Sequence, residues 1–450
     1  MLLNFSVSNF RSFGEQETFS LIAGSRESNH RTHLVAVNDA QASILRTAVV
    51  YGANGSGKSN LYRAIKFVHD MATRDIAIEG MIRCPRFAFN TLTADDSIFR
   101  ISFTSMEGVY VYEIAIGAGL IVREFAGKLI KGNFETLFER TYDTSKDETS
   151  VLLGKVFEDA MPEKVKALAI VGPVKTRTFL SLVSESVPHV EQRGEDMAAI
   201  CDWFDKLLFI APTEEYGGSL VSEYAKPDFH DFAKSILEAA AGVSDVWIDS
   251  REMDESEIRE VLPRDKAEST FEALRHNVPV VMSSTAGARA MIERNADNLY
   301  KMSILRAIHR LENGEVGMLD ISDESDGTRR LLELLPAFYA VKKSGRVCVV
   351  DEMDRSIHAL LMRSFLRMFL NDSDNGQLIF TTHESSLLDV DIFRRDEIWF
   401  AEKDVKGMTR LYSLNDYRER TQRTVRDYYL QGRYGATPVE FGTRRAANEG

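Results

Sequence analysis

The chain has 450 residues, 44% of them hydrophobic and 27% charged, with a formal net charge of −13. That is the balance of a globular protein with core enough for two or three domains, and the acidic excess argues against broad, nonspecific nucleic-acid binding. No apolar run reaches the length of a membrane span, the N-terminus lacks the pattern of a signal peptide, and Cys84, Cys201 and Cys348 have no metal-ligand spacing, so a cytoplasmic location without membrane association is expected.

In chain order, Phe5, Val7, Phe10 and Phe13 predict a first strand and its turn. Thr47 to Tyr51 reads as a buried strand, and "GANGSGKSN" (52 to 60) follows it. Gly52, Gly57, Lys58 and Ser59 fit G-x-x-x-x-G-K-[ST], a loop whose backbone N–H groups cradle phosphate. Asn54, Gly55, Ser56, Gly57 and Asn60 are therefore candidate nucleotide contacts. Lys58 would reach the β- and γ-phosphates and Ser59 would ligate Mg²⁺. Leu61, Ile65 and Val68 then recur at helical spacing, which aims a helix N-terminus at the anion. Residues 98 to 125 alternate apolar and polar residues around glycine turns, as an antiparallel meander does.

From about 155 to 312 the periodicity is mostly helical. Residues 251 to 277 are crowded with charge of both signs and read more readily as a solvated excursion than as a docking segment. Ser325 and Gly327 precede an amphipathic helix carrying Leu331, Leu334, Leu335 and Phe338; by itself this is ordinary helix capping. The run "VCVV" (347 to 350) ends in Asp351 and Glu352, carboxylates at the C-terminal end of a buried strand, where α/β sheets bind ligands. Asp351 would hold Mg²⁺ through water, and Glu352 would polarise an attacking water. Leu378 to Phe380 predict a further strand, followed by Thr381, Thr382 and His383. His383 is either a structural histidine or a partner for the γ-phosphate or attacking water. Residues 396 to 417 predict a terminal hairpin. The basic, aromatic segment that follows, with Arg420, Arg423, Arg426, Arg433 and Tyr434, reads more readily as a packed helix end than as a nucleic-acid contact.

The order of these motifs resembles the ABC-type ATPases of the RecF/SMC/OLD group, in the AAA15/AAA21 branch. Within it, the chain is similar to the RloA/AbiLi-type ATPases of phage-defence loci. The resemblance rests on "NFRSF" (9 to 13), "GANGSGKSN", "ESDGTRRLLEL" (324 to 334), "VVDEMDRSIHALL" (349 to 361), "FTTHESSLLD" (380 to 389) and "YLQGRYGATPVEF" (429 to 441). It implies an α/β fold: an ABC-type P-loop ATPase head with an antiparallel β-subdomain and a mostly helical insertion. The segments would be an N-terminal lobe (1–154), the insertion (155–312) as a partner or specificity region, and a C-terminal lobe (313–450). It also implies Mg²⁺-dependent ATP hydrolysis with Glu352, His383 and Lys58 as catalytic residues, and Arg11 and Ser12 near the nucleotide. Ser325 and Gly327 would act as a signature loop meeting the γ-phosphate held by a second copy, in a homodimer or higher oligomer of ATP-joined heads. No second carboxylate cluster of the OLD nuclease kind follows the tail, so a separate effector chain is expected, a nuclease or toxin, with an RloB-like protein as one candidate. A RecF-like repair ATPase binding DNA directly is the alternative.

Overall fold

The computed structural model describes the chain except residues 26, 28, 38–41, 90–94, 106–107, 213–218, 263–266, 284–288, 296–298, 312, 372–375, 418–423 and 438–450. Two compact units emerge, Met1–Phe209 with Val341–Asp354 and Arg363–Gly450, and Ile210–Ala340 with Arg355–Met362. Among the described residues no helix is long and apolar enough to cross a membrane.

The first unit is built on two sheets. In the six-stranded sheet, Thr47–Tyr51 pairs in parallel with Gln377–Thr381 on one side and Ile398–Lys403 on the other. Val347–Val350 extends the sheet, parallel to Gln377–Thr381. All five residues of Thr47–Tyr51 are buried, as an apolar strand covered on both faces must be. Thr409–Ser413 closes one edge as the antiparallel arm of the expected terminal hairpin. The seven-stranded sheet is antiparallel throughout and contains Leu2–Ser8 beside the meander, which runs through five strands from Ser97 to Leu153. The α/β class and the antiparallel β-subdomain match the expectation.

Two contacts tie these sheets together. Gln377 is fully buried, accepts from the Leu2 N–H at 2.7 Å and donates to the Leu2 and Leu45 carbonyls at 3.0 and 2.8 Å. Phe10 lies 5.5 Å from Phe67 on the helix Lys58–Thr73 and 5.1 Å from Phe99 on the meander, ring to ring. The predicted helical residues Leu61, Ile65 and Val68 are all buried.

The segment read as mostly helical is so up to Ala241, apart from the strand Leu207–Ile210; beyond it a sheet forms, with the helices Glu255–Val261 and Ala267–Arg275 set between its strands. Asp245–Met253, Tyr300–Arg310, Arg289–Arg294 and Val280–Ser283 pair in that order, with Val316–Asp320 added to Tyr300–Arg310. These strands carry arginines, lysines and acids on a partly open face, which blurs the two-residue alternation that would have shown them. The charged run 251–277 is no solvated excursion in its described part. Glu255–Val261 starts on a capping box between Asp254 and Glu257, and Met253, Ile258, Leu262, Phe271 and Leu274 bury themselves as a small core. The charges occupy the outer sides of short helices.

The tail matches the packed reading in its described part. Val425–Leu430 is helical, Tyr434 is buried against Phe400 at 5.4 Å, and Arg426 and Arg433 stay exposed. Arg420 and Arg423 lie outside the described residues.

One buried carboxylate organises the outer part of the first unit. Glu124 accepts from the N–H groups of Phe179 and Leu180 at 2.6 and 3.1 Å and from the Tyr112 hydroxyl at 3.0 Å. It thereby satisfies the first turn of the helix Phe179–Ser186, beside the fully buried Arg140 that opposes it across the strands. Glu124→Ala leaves those donors and the guanidinium without their carboxylate. A loss of about 3–5 kcal/mol is expected in the urea unfolding of this unit, with Glu124→Gln losing less because it keeps the shape and one acceptor.

Candidate functional site

The parallel register brings three loops to one edge of the six-stranded sheet: the turn after Tyr51, the acidic turn after Val350 and the Thr-Thr-His turn after Phe380. The glycine loop is shaped for close approach. Gly57 has φ +112°, and a Cβ there would stand 2.0 Å from Thr409 Oγ1. A Cβ on Gly52 would stand 2.4 Å from the Ala401 carbonyl oxygen, whereas at Gly55, with φ +76°, nothing lies within 4 Å. Gly57 and Gly52 are thus required by packing, and Gly55 by its backbone conformation alone.

Lys58 begins the helix and folds its ammonium back over the loop. Nζ donates to the Gly52 and Ala53 carbonyls at 2.7 and 3.1 Å and lies 3.4 Å from His383 Nδ1. Burial pulls the Lys58 ammonium down to about 8, against the opposite pull of Asp351, Glu352 and Asp354. His383 is lowered too, first by burial and then by the Lys58 charge. A neutral imidazole that accepts from Lys58 at Nδ1 carries its proton on Nε2, where it can donate to an anion. The His383 backbone N–H is held by Asp354 at 3.3 Å.

Thr381 joins the acidic turn to its neighbour strand, a role the sequence did not reveal. Its hydroxyl donates to Asp351 Oδ1 at 2.7 Å and accepts from the Glu352 N–H at 2.8 Å. Asp351 is buried with one oxygen so fixed. Glu352 sits in the left-handed region at φ 49°, a conformation costly for a non-glycine residue, at the position where the sequence placed the water-polarising carboxylate.

Thr409 is likewise invisible in the sequence, because its partners Ser12 and Ser56 lie hundreds of residues away. Its hydroxyl donates to the Ser56 carbonyl oxygen at 2.8 Å and shares a hydrogen bond of 2.7 Å with the Ser12 hydroxyl. Asn60 Nδ2 donates to Ser12 Oγ at 2.7 Å. Ser12 is therefore buried behind the loop as its brace. Arg11 is exposed with φ 53°, its N–H on the Pro85 carbonyl.

The residues fit a nucleoside triphosphate and its metal. The loop has the backbone of an anion cradle, a fixed ammonium, and a buried Ser56 hydroxyl without a hydrogen-bond partner in the protein. For Mg²⁺ the chain offers Ser59 and Asp351, hard oxygen donors, and among the described residues no cluster of three or more His, Cys, Asp or Glu. One hydroxyl and one carboxylate suit a cation that takes its other ligands from phosphate and water.

In the second unit, Ser325 Oγ accepts from the Thr328 N–H at 3.2 Å and so caps the helix Asp326–Ser344. A Cβ on Gly327 would stand 2.7 Å from the Ser356 carbonyl oxygen. Glu324 is bonded by His309 Nε2 at 2.6 Å, which fixes the start of this loop.

The depressed Lys58 ammonium has a measurable consequence. Bound phosphate keeps it charged, whereas in the free protein it loses its proton near pH 8. ATP affinity should therefore fall about tenfold between about pH 7 and 9, in titrations at fixed Mg²⁺. Lys58→Arg, whose guanidinium does not titrate there, should bind more weakly but with a flat profile.

Comparison with known proteins agrees with a P-loop assignment. No curated protein matches the sequence. Among solved structures, the SMC head domain from Thermotoga maritima is 14% identical, with a TM-score of 0.34 over 92% of this chain and 98% of that one. An Smc head bound to the C-winged helix domain of ScpA is 15% identical, with a TM-score of 0.39 over 92% and 97%. An Smc head with an extended coiled coil, bound to the C-terminal domain of ScpA from Pyrococcus furiosus, is also 15% identical, with a TM-score of 0.39 over 92% and 96%. These superpositions are loose. The match in sequence is extensive: residues 48–153 and 208–389, more than half of the chain, fit the AAA_21 family, described as "AAA domain, putative AbiEii toxin, Type IV TA system". With its glycine loop and acidic strand end inside the matched region, the chain belongs to this family of AAA-domain ATPases.

Proposed function

We propose that the protein is an ABC-type ATPase switch in which ATP joins two copies and hydrolysis releases them. The observation that carries this reading is the Lys58 ammonium, held by the loop's own carbonyls next to His383, at the edge of the sheet where Asp351 and Glu352 end their strand. ATP with Mg²⁺ supplies the scissile phosphoanhydride and neutralises charge on its oxygens. Lys58 and the loop N–H groups hold the phosphates, and Ser59 and Asp351 hold the metal. Glu352 orients water, its backbone pinned by Thr381. His383 donates from Nε2 toward the γ-phosphate. Arg11 reaches the nucleotide from the N-terminal turn. Ser325 and Gly327 of a second copy close over the same phosphate. Catalysis of this kind is positioning and charge stabilisation.

The switch would govern a separate effector chain, a nuclease or toxin, in a bacterial anti-phage system. Support for this comes from the sequence resemblance to phage-defence ATPases and from the family's description, which names a toxin of a toxin–antitoxin pair.

Glu352→Gln should bind ATP as the parent does and hydrolyse it at least about a hundredfold more slowly, because the amide cannot take a proton. In sedimentation with ATP and Mg²⁺ the variant should stay associated longer than the parent; unchanged association would remove the joined-head reading.

Ser325→Arg separates a cap from a shared site. As a cap alone, the change costs about 1 kcal/mol of stability and leaves turnover intact. As a residue facing a neighbour's γ-phosphate, it should abolish turnover while ATP binding persists. Mixing Ser325→Arg with Lys58→Ala protein should then restore part of the ATPase rate, since one composite site carries neither defect.

A further inference from the structure

The second unit carries an open sheet edge that nothing in the ATPase reading uses. Val316–Asp320 pairs with Tyr300–Arg310 on one side and, among the described residues, with no strand on the other. The hairpin closes with the Leu311 N–H on the Glu315 carbonyl at 2.9 Å. Antiparallel pairs alternate, so hydrogen bonds to the inner strand fall at Gly317 and Leu319, while Val316, Met318 and Asp320 point their N–H and C=O groups outward. Exposed edges are usually blunted by lysine, proline or a bulge. This one carries none of these and presents Val316, Met318 and Leu319, each 44% exposed or more.

The surface next to the edge is that of a recognition site. Trp247, Arg306 and Asp320 form one row across three strands on one face, with Ile308 and Met318 opposed in the next register. Trp247 is 55% exposed, whereas the other two tryptophans, Trp203 and Trp399, are buried. Arg306 Nε lies 3.2 Å from both Asp249 and Asp320, so two carboxylates hold its charge in the row of the indole. An exposed tryptophan in one row with a paired arginine, next to the exposed Met318, is the composition of an interaction hot spot.

Charge selects the occupant. Residues 313–327 contain five carboxylates and neither lysine nor arginine. Asp320, Glu324 and Asp326 are paired with Arg306, His309 and Arg329, leaving Glu315 and Asp323 at the two ends of the edge with no ion pair among the described residues. A second copy added antiparallel here would bring these acidic ends against one another, which is unfavourable. We infer that the Val316–Asp320 edge binds an extended segment of a partner protein by strand addition, and that the segment alternates apolar and basic residues. Main-chain bonds to Val316, Met318 and Asp320 would supply affinity, and Met318 with Trp247 and the acidic ends would supply selectivity. The inference does not depend on ATP chemistry, although a single helical turn, Ile321–Asp323, separates this edge from Ser325.

A blocked peptide of alternating valine and lysine tests it, with a valine–glutamate peptide as the contrast, on the full chain without nucleotide. The basic peptide should change the fluorescence of the exposed Trp247 and slow hydrogen exchange at Val316, Met318 and Asp320. Met318→Pro removes one outward donor and should weaken binding at least about tenfold, with melting temperature and ATPase rate unchanged. Met318→Lys keeps the backbone, adds repulsion toward the basic peptide and should weaken it similarly, which covers the case in which the proline variant fails to fold. Equal binding of both peptides, no binding at millimolar peptide, or binding indifferent to both variants would overturn the inference. So would self-association of the parent that either variant abolishes, because the occupant would then be a second copy.

Discussion

The shared parallel register of Val347–Val350, Gln377–Thr381 and Thr47–Tyr51 is the constraint on which the rest of the site depends. Three strands that run the same way must end at the same edge, so their following turns meet although the glycine loop lies hundreds of residues before the other two. The glycine loop, the Asp351–Glu352 turn and His383 come together for that reason. The register is held from below by Gln377, whose amide satisfies the backbone of Leu2 and Leu45 inside the core. A buried amide with all its partners in place fixes one alignment, since a slip would leave several polar groups unpaired.

Around this edge, short hydroxyl bridges do what larger elements cannot. Thr381 ties the two acidic-turn residues to the neighbouring strand, and Thr409 ties Ser12 and Ser56 to the terminal hairpin. The left-handed Glu352 is sustained by such a bridge on its N–H. The lowered ammonium of Lys58 has a related origin. A charge drawn out of water and bonded to two carbonyl oxygens and a histidine nitrogen is poised to gain from phosphate what burial has taken from it.

The second unit is a contrast in physical design. Its strands bury the middle of one face, with Val246, Leu305 and Ala307 in the core under the helices, and leave part of the other open. On that open face an arginine bridges two aspartates across three strands, while Trp247 in the same row stays exposed. The same openness made this sheet hard to read in the sequence, since charge interrupts the alternation that marks a strand.

The sequence by itself determined the glycine loop, the acidic strand end, the Thr-Thr-His turn, the meander and the terminal hairpin. Each is a local pattern whose chemistry follows from residue types at fixed spacing. It also placed Leu61, Ile65 and Val68 on the buried side of their helix, because helical periodicity is a property of neighbours. Only the tertiary structure decided that Ser12 braces the loop, that Thr381 and Thr409 belong to the site, and that residues 245 to 320 form a sheet with the charged helices folded onto it. Those outcomes depend on pairings such as Ser12 with Thr409 and Trp247 with Arg306, between residues far apart in the chain. A hydroxyl that can bond to any acceptor carries no signal of its partner until the backbone has brought one within reach.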